Sequence, residues 1–145
     1  MTLRKIVFEG DPVLGMVSKS VESFDSELFE LLDDMKETLI SAKGVGLAAP
    51  QIGLLKRVAI VLINDDLTEM INPEILEKKG NRVSNEGCLS CPGFFGATVR
   101  PKSIKVRAQD RNGNSFVFSC KDFKAQAVCH EIDHLDGILF KKRLA

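Results

Sequence analysis

The stretch His130-Glu131-Ile132-Asp133-His134 constrains this chain more than any other segment, because two imidazoles four residues apart share one face only when the segment is helical. On such a helix Glu131 stands beside the first imidazole. Two neutral imidazoles hold a divalent metal, a third protein ligand completes the anchor, and an open fourth position leaves room for a water made acidic near neutral pH. Glu131 is then the natural proton carrier. The competing reading is an ordinary helix whose histidines sit in the core or face water.

Composition weakens that competitor. The chain holds only two histidines, and both are in this motif, so scattered structural histidines are not the background here. Twenty basic and twenty acidic residues cancel, which leaves no footprint for DNA and no strong attraction to an anionic membrane. A length of 145 residues fits one domain, residues 1–145, able to bury a single core without staples. The first ten residues carry charge but no long apolar stretch, and Val58-Ala-Ile-Val-Leu-Ile63 is the longest purely apolar run. Neither signal peptide nor membrane span is expected, and the expected location is cytoplasmic. In that compartment Cys88, Cys91, Cys120 and Cys129 are thiols rather than a disulfide framework.

The pattern along the chain predicts an α+β fold with an N-terminal helix and antiparallel sheets around a C-terminal metal-binding helix. Asp25 reads as the N-cap of the first helix, with Phe24 placed to pack on Phe29; Leu28, Leu31, Leu32, Met35 and Leu39 recur on one face. Gly44 is its expected stop. Residues 57–63 and 70–77 read as strands, the second broken by Pro73 and so placed at an edge or a bulge. From Ser103 apolar and polar residues alternate, and Asn112-Gly113 supplies a hairpin turn into Phe116-Val117-Phe118. The last helix starts near Asp122 and ends where Gly137 permits a left-handed residue.

Two further segments bear on the chemistry. In Glu86-Gly-Cys-Leu-Ser90 the thiolate of Cys88, flanked by glycine, is the obvious third ligand. Cys88-x-x-Cys91 with the two histidines also matches a closed four-ligand zinc site, but the pairs lie much farther apart than in compact zinc fingers, and a closed site would leave Glu131 no water to work on. Cys91 is therefore read as an apolar residue before Pro92. The second segment is Gly44-Val-Gly-Leu-Ala-Ala-Pro-Gln-Ile-Gly53, whose alternate glycines let another backbone come close and suit pairing with an extended peptide by strand addition. It lacks the ending of a phosphate loop. Gln51, taken alone, reads as surface polar filler.

Gly44-Val-Gly-Leu-Ala-Ala-Pro-Gln51, Glu86-Gly-Cys-Leu-Ser90 and His130-Glu-Ile-Asp-His134-Leu135, in this order, closely resemble the three motifs of the peptide deformylases, and the likeness runs over nearly the whole chain. Those enzymes remove the formyl group from the N-terminal methionine of new polypeptides. The resemblance implies that Cys88, His130 and His134 bind the metal, that Glu131 is the general acid and base, and that Gln51 and the Leu89 backbone amide hold the formyl oxygen. Gly44, Val45 and Gly46 would border the peptide groove. It implies iron(II) in the cell, with zinc, nickel or cobalt also suited to one thiolate and two imidazoles. Nascent formylated polypeptides are the implied partner, and the protein is expected to act as a monomer.

This chain departs from the family pattern where Cys129 stands in a place commonly held by glutamine, and where Phe94-Phe95-Gly96 stands in a loop that often carries polar residues. Both bear on the substrate pocket, and neither removes a ligand. Lys141-Lys142-Arg143 is a candidate for transient ribosome contact, with a solvated basic end as the preferred reading. Two other classes fit parts of the pattern: a catalytically silent metal-binding module of the same fold, and a zinc endopeptidase.

Overall fold

The computed structural model describes residues 2–145. Helix α1 spans Ser26–Ala42 and α2 spans Asp122–Leu135. Between them lie β1 (Gly46–Ala48), β2 (Val58–Ile63), β3 (Asp66–Lys79), β4 (Arg82–Cys88), β5 (Cys91–Arg100), β6 (Ser103–Gln109) and β7 (Ser115–Lys121). Five strands form one antiparallel sheet in the order β1-β2-β3-β6-β7, while β4 and β5 pair with each other as a separate hairpin. The expected α+β class is the one observed.

The sheet is covered on both faces, and the apolar run Val58–Val61 shows how. Val58 and Ile60 join a core built on α1, with Leu28, Leu32, Met35 and Leu39; Ala59 and Val61 join a second core built on α2, with Val106, Val128, Ile132 and Leu135. Successive strand residues point to opposite faces, so a strand clamped between two helices reads as a continuous apolar run. Leu47 and Ala48 on β1 divide in the same way. Among the described residues no helix is long and apolar enough to cross a membrane.

Asp25 caps α1 through a bond from the Leu28 N–H to its carboxylate at 3.3 Å, and all five residues of the expected stripe are buried. Phe24 joins the α1 core and lies against Gly113. The helix stop differs from expectation: Lys43, at φ 57°, takes the left-handed position, and Gly44 follows it by donating its N–H to the Leu39 carbonyl at 3.2 Å. That is a Schellman ending with glycine one place later than usual. Of the two settings expected for Pro73, an edge or a bulge, the structure takes the bulge. Strand β3 is central, lying between β2 and β6, and absorbs the proline in a register shift between Ile71 and Glu74 with Asn72 at φ 52°. The β6–β7 connection is the expected hairpin, with Gly113 at φ 85° and the Asp110 carboxylate accepting the N–H groups of Asn112 and Asn114.

Candidate metal centre

Helix α2 sets His130 and His134 with ring centroids 5.0 Å apart, both buried. The hairpin β4–β5 brings Cys88 to them at the end of β4. Ligand atoms of Cys88, His130 and His134 all lie within 4.8 Å of one another, and the Cys88 Sγ is 3.3 Å from the His134 Nε2. Cys91 pairs with Cys88 across the hairpin yet is not part of this cluster. A closed four-ligand zinc site is therefore not what the fold assembles.

Each imidazole needs one nitrogen facing the metal, and a partner on the other nitrogen decides which. For His130 that partner is Glu86, whose carboxylate accepts the hydrogen bond of Nδ1 and so turns Nε2 toward Cys88. Glu86 is itself held by the Arg100 guanidinium at 2.6 Å and by the Thr98 hydroxyl at 2.8 Å, and Arg100 continues to Asp133 on α2. Arg143 closes the network on Asp133 at 3.0 Å. Burial works against the Glu86 charge, but hydrogen bonds from His130 and Arg100 outweigh it and hold the carboxyl down at about 2. Glu86 stands in the same motif as Cys88, yet no local pattern marks it as a partner of His130, 44 positions away.

Glu131 is 4% exposed, and its Oε1 has no hydrogen-bond partner among the described residues. Burial pushes its carboxyl up to about 7. Gly46 makes its position possible, since a Cβ there would collide with the Glu131 carboxylate. Gly44 does the same for the Leu89 and Leu39 side chains, whose methyl carbons would lie 2.8 and 2.9 Å from an added Cβ. The alternate glycines thus admit side chains of this same molecule. Strand β1, which carries Gly46, is still an edge strand of the sheet, with its second side unpaired by any other strand.

Gln51 is not surface filler. It is 1% exposed; its Oε1 accepts the Ala48 N–H at 2.9 Å, which leaves Nε2 directed at Ser90 Oγ, 3.2 Å away, and Cys88 Sγ, 3.5 Å away. A cleft of about 450 Å³ opens here, bordered by Gly44, Val45, Gly46, Gln51, Cys88, Leu89, Cys91, His130 and Glu131. Its outer wall adds Asn85, Gly87, Phe94, Phe95, Phe123 and Gln126, which sequence reasoning had not assigned apart from the Phe94-Phe95 loop. Cys129 is absent from that lining and packs in the α2 core, where burial pushes its thiol up to about 11. Its departure from the family pattern therefore touches packing, not the cleft.

A thiolate and two imidazoles converging beside a buried carboxylate with an unpaired oxygen form a donor set that fits a divalent transition metal. Two buried polar atoms here, Glu131 Oε1 and His134 Nδ1, have no hydrogen-bond partner among the described residues. Of the basic tail, Lys141 is taken up by Glu9 at 2.7 Å and Arg143 by Asp133.

Residues 3–145 match the protein-family model described as polypeptide deformylase. The chain is 52% identical over 140 residues to the peptide deformylase of Caldicellulosiruptor bescii, covering 97% of this chain and 84% of that protein. It is 47% identical over 147 residues to peptide deformylase 1 of Bacillus subtilis, covering 100% of this chain and 92% of that protein. Among solved structures, the peptide deformylase of Thermotoga maritima superposes with a TM-score of 0.98 at 38% identity, covering 100% of this chain and 99% of that one. Coverage this complete on both sides places the likeness in the whole fold rather than in a shared metal motif.

Proposed function

This chain belongs to the polypeptide deformylase family, and we propose that Cys88, His130 and His134 hold the divalent metal with which it removes the formyl group from the N-terminal formylmethionine of newly made polypeptides. The observation that carries the assignment is the meeting of these three ligand atoms within 4.8 Å beside Glu131. When bound, the metal supplies Lewis acidity, which lowers the pKa of a water and polarises a carbonyl oxygen. Glu131 accepts the proton released when the nucleophile attacks the formyl carbon, and later returns it to the leaving amine. Its unpaired Oε1 faces no competing donor, and its raised pKa suits both halves of that exchange.

Gln51 supplies the second function. With Oε1 fixed by the Ala48 N–H, its Nε2 is the group offered to the oxyanion, together with the Leu89 backbone N–H. Gly44, Val45 and Gly46 run along the cleft at the sheet edge, where an extended peptide would add as a strand. A formyl carbon carries only hydrogen, so a narrow site beside these glycines admits it and turns away bulkier acyl groups.

Iron(II) is the metal proposed for the cell, with zinc, nickel or cobalt able to replace it, because one thiolate and two imidazoles suit all four. The work is placed in the cytoplasm, on a monomer and on nascent formylated chains. Ribosome contact through Lys141–Arg143 has less support, since Lys141 and Arg143 already pair within the molecule.

The test is turnover of formyl-Met-Ala beside its unformylated counterpart and an internally cleavable peptide, with Gln51→Leu run in parallel. Release of formate from the first alone supports the reading, whereas cleavage of the internal peptide makes the protein an endopeptidase. For Gln51→Leu, kcat should fall by about a hundredfold while affinity for an uncleavable analogue changes little, as a transition-state donor requires.

A further inference from the structure

The mechanism above leaves one thiol beside the metal ligands without a task. Cys91 is 5% exposed, contributes nothing to the ligand cluster, and faces Cys88 across the two-residue turn Leu89-Ser90. The pair closes the hairpin just beyond a register shift between Gly87 and Cys88, and residues paired directly across an antiparallel hairpin have Cα atoms about 4.5–5.5 Å apart. That lies within the separation of about 4.4–6.8 Å that a disulfide spans. Neither Cys120 on β7 nor Cys129 on α2 belongs to this hairpin.

Access differs between the two sulfurs. Cys88 is half-buried and Cys91 is buried, and both line the cleft, which is wide enough for a small oxidant. We propose that Cys88 and Cys91 form a reversible disulfide under peroxide, so that this enzyme releases its metal on oxidation and recovers it on reduction. The proposal rests on Cys88 being the thiolate ligand, as assigned above.

The chemistry balances with a peroxide as the oxidant. The Cys88 thiolate attacks one peroxide oxygen, the O–O bond breaks, and Cys88 becomes a sulfenic acid as hydroxide departs and takes a proton from solvent to form water. The Cys91 sulfur then attacks the Cys88 sulfur, the S–O bond breaks, and a second water leaves with the Cys91 proton. Two sulfurs lose two electrons, and the peroxide gains them. Cys88 can no longer act as a thiolate ligand, but a thiol reductant restores it. Without Cys91 the sulfenic acid is open to further oxidation, which is irreversible.

The experiment uses the zinc-loaded enzyme, in which the metal itself has no redox chemistry. Wild type, Cys91→Ala and Cys91→Ser are treated with hydrogen peroxide, alkylated and digested. The peptide carrying residues 88 and 91 is weighed, and freed zinc is followed with a chelating dye. In wild type the peptide should lose two hydrogens and take no alkyl label at either cysteine, zinc should appear in step, and dithiothreitol should restore both thiols and zinc binding. In both variants Cys88 should gain oxygen atoms and fail to recover zinc after dithiothreitol. Oxygen gain at Cys88 at equal rates in wild type and variants overturns the proposal, and so does a disulfide that forms while zinc stays bound. Cys88→Ala separates the two levels. Full zinc binding by that variant before any oxidant overturns the ligand assignment, and the switch with it. Its loss of zinc, with no disulfide in wild type, overturns the switch alone.

Discussion

Helices α1 and α2 cover opposite faces of one sheet, yet they bury different things. Helix α1 hides a stripe of leucines and a methionine and keeps most of its other face in water, with Asp34 tied to Arg4 and to the Thr2 N–H as its main polar anchor. Helix α2 is buried at every position from Ala125 to Leu135, including Gln126, His130, Glu131, Asp133 and His134. Hiding charged groups is costly unless each is paired, so α2 depends on the Glu86–Arg100–Asp133 network in a way that α1 does not. One helix serves chiefly to close a core, and the other gives up part of the fold's stability to bury two imidazoles and two carboxylates.

That contrast can be tested, beginning with its largest expected effect. Glu131→Gln on α2 should keep fold and metal but lose about three orders of magnitude in turnover of formyl-Met-Ala, since it removes the proton carrier alone. Metal analysis and steady-state kinetics on one preparation check it, and near-normal turnover would take Glu131 out of the mechanism. Glu86→Ala should affect both properties. It leaves Arg100 buried with half its partners and His130 without its Nδ1 acceptor, so denaturant melts should show a loss of about 3–5 kcal/mol, and metal affinity should fall by about 10–100-fold. Leu32→Ala on α1 should cost a smaller or similar amount, about 2–5 kcal/mol, by opening a cavity in the α1 core. Its metal affinity should stay at the wild-type value. A change in metal binding from Leu32→Ala would break the division of labour between the helices.

The same contrast explains what was legible in the sequence. Helix α1 was readable because its signals are local: an Asp25 cap, a stripe at helical spacing, and a stop within a residue of where it falls. The stop itself was misplaced because Schellman geometry puts the left-handed turn on Lys43 and uses Gly44 for room beside Leu89. The candidate ligand pair on α2 was readable because spacing and residue type suffice to mark it. The hairpin β4–β5 was not, since it inverts the usual pattern: it exposes Val83, Phe95 and Val99 while burying Glu86, Thr98 and Arg100. Alternation of that kind signals a polar interior whose partners are remote in sequence, and Glu86, Arg100 and Asp133 find one another only in three dimensions. The burial of Gln51, which the family resemblance marks but the residue taken alone does not, was hidden for the same reason, being set by Ala48 and by the distant Cys88 and Ser90.

An open three-ligand site made by α2 and the end of β4 is the centre of the proposed chemistry. Metal content per chain, measured on anaerobically purified wild type, Cys88→Ala and Cys91→Ala, tests it most directly. One divalent metal in wild type, its loss from Cys88→Ala and its retention by Cys91→Ala are the predicted results. Equal loss from the two cysteine variants would mean a closed four-ligand site, and would contradict the catalytic centre described here.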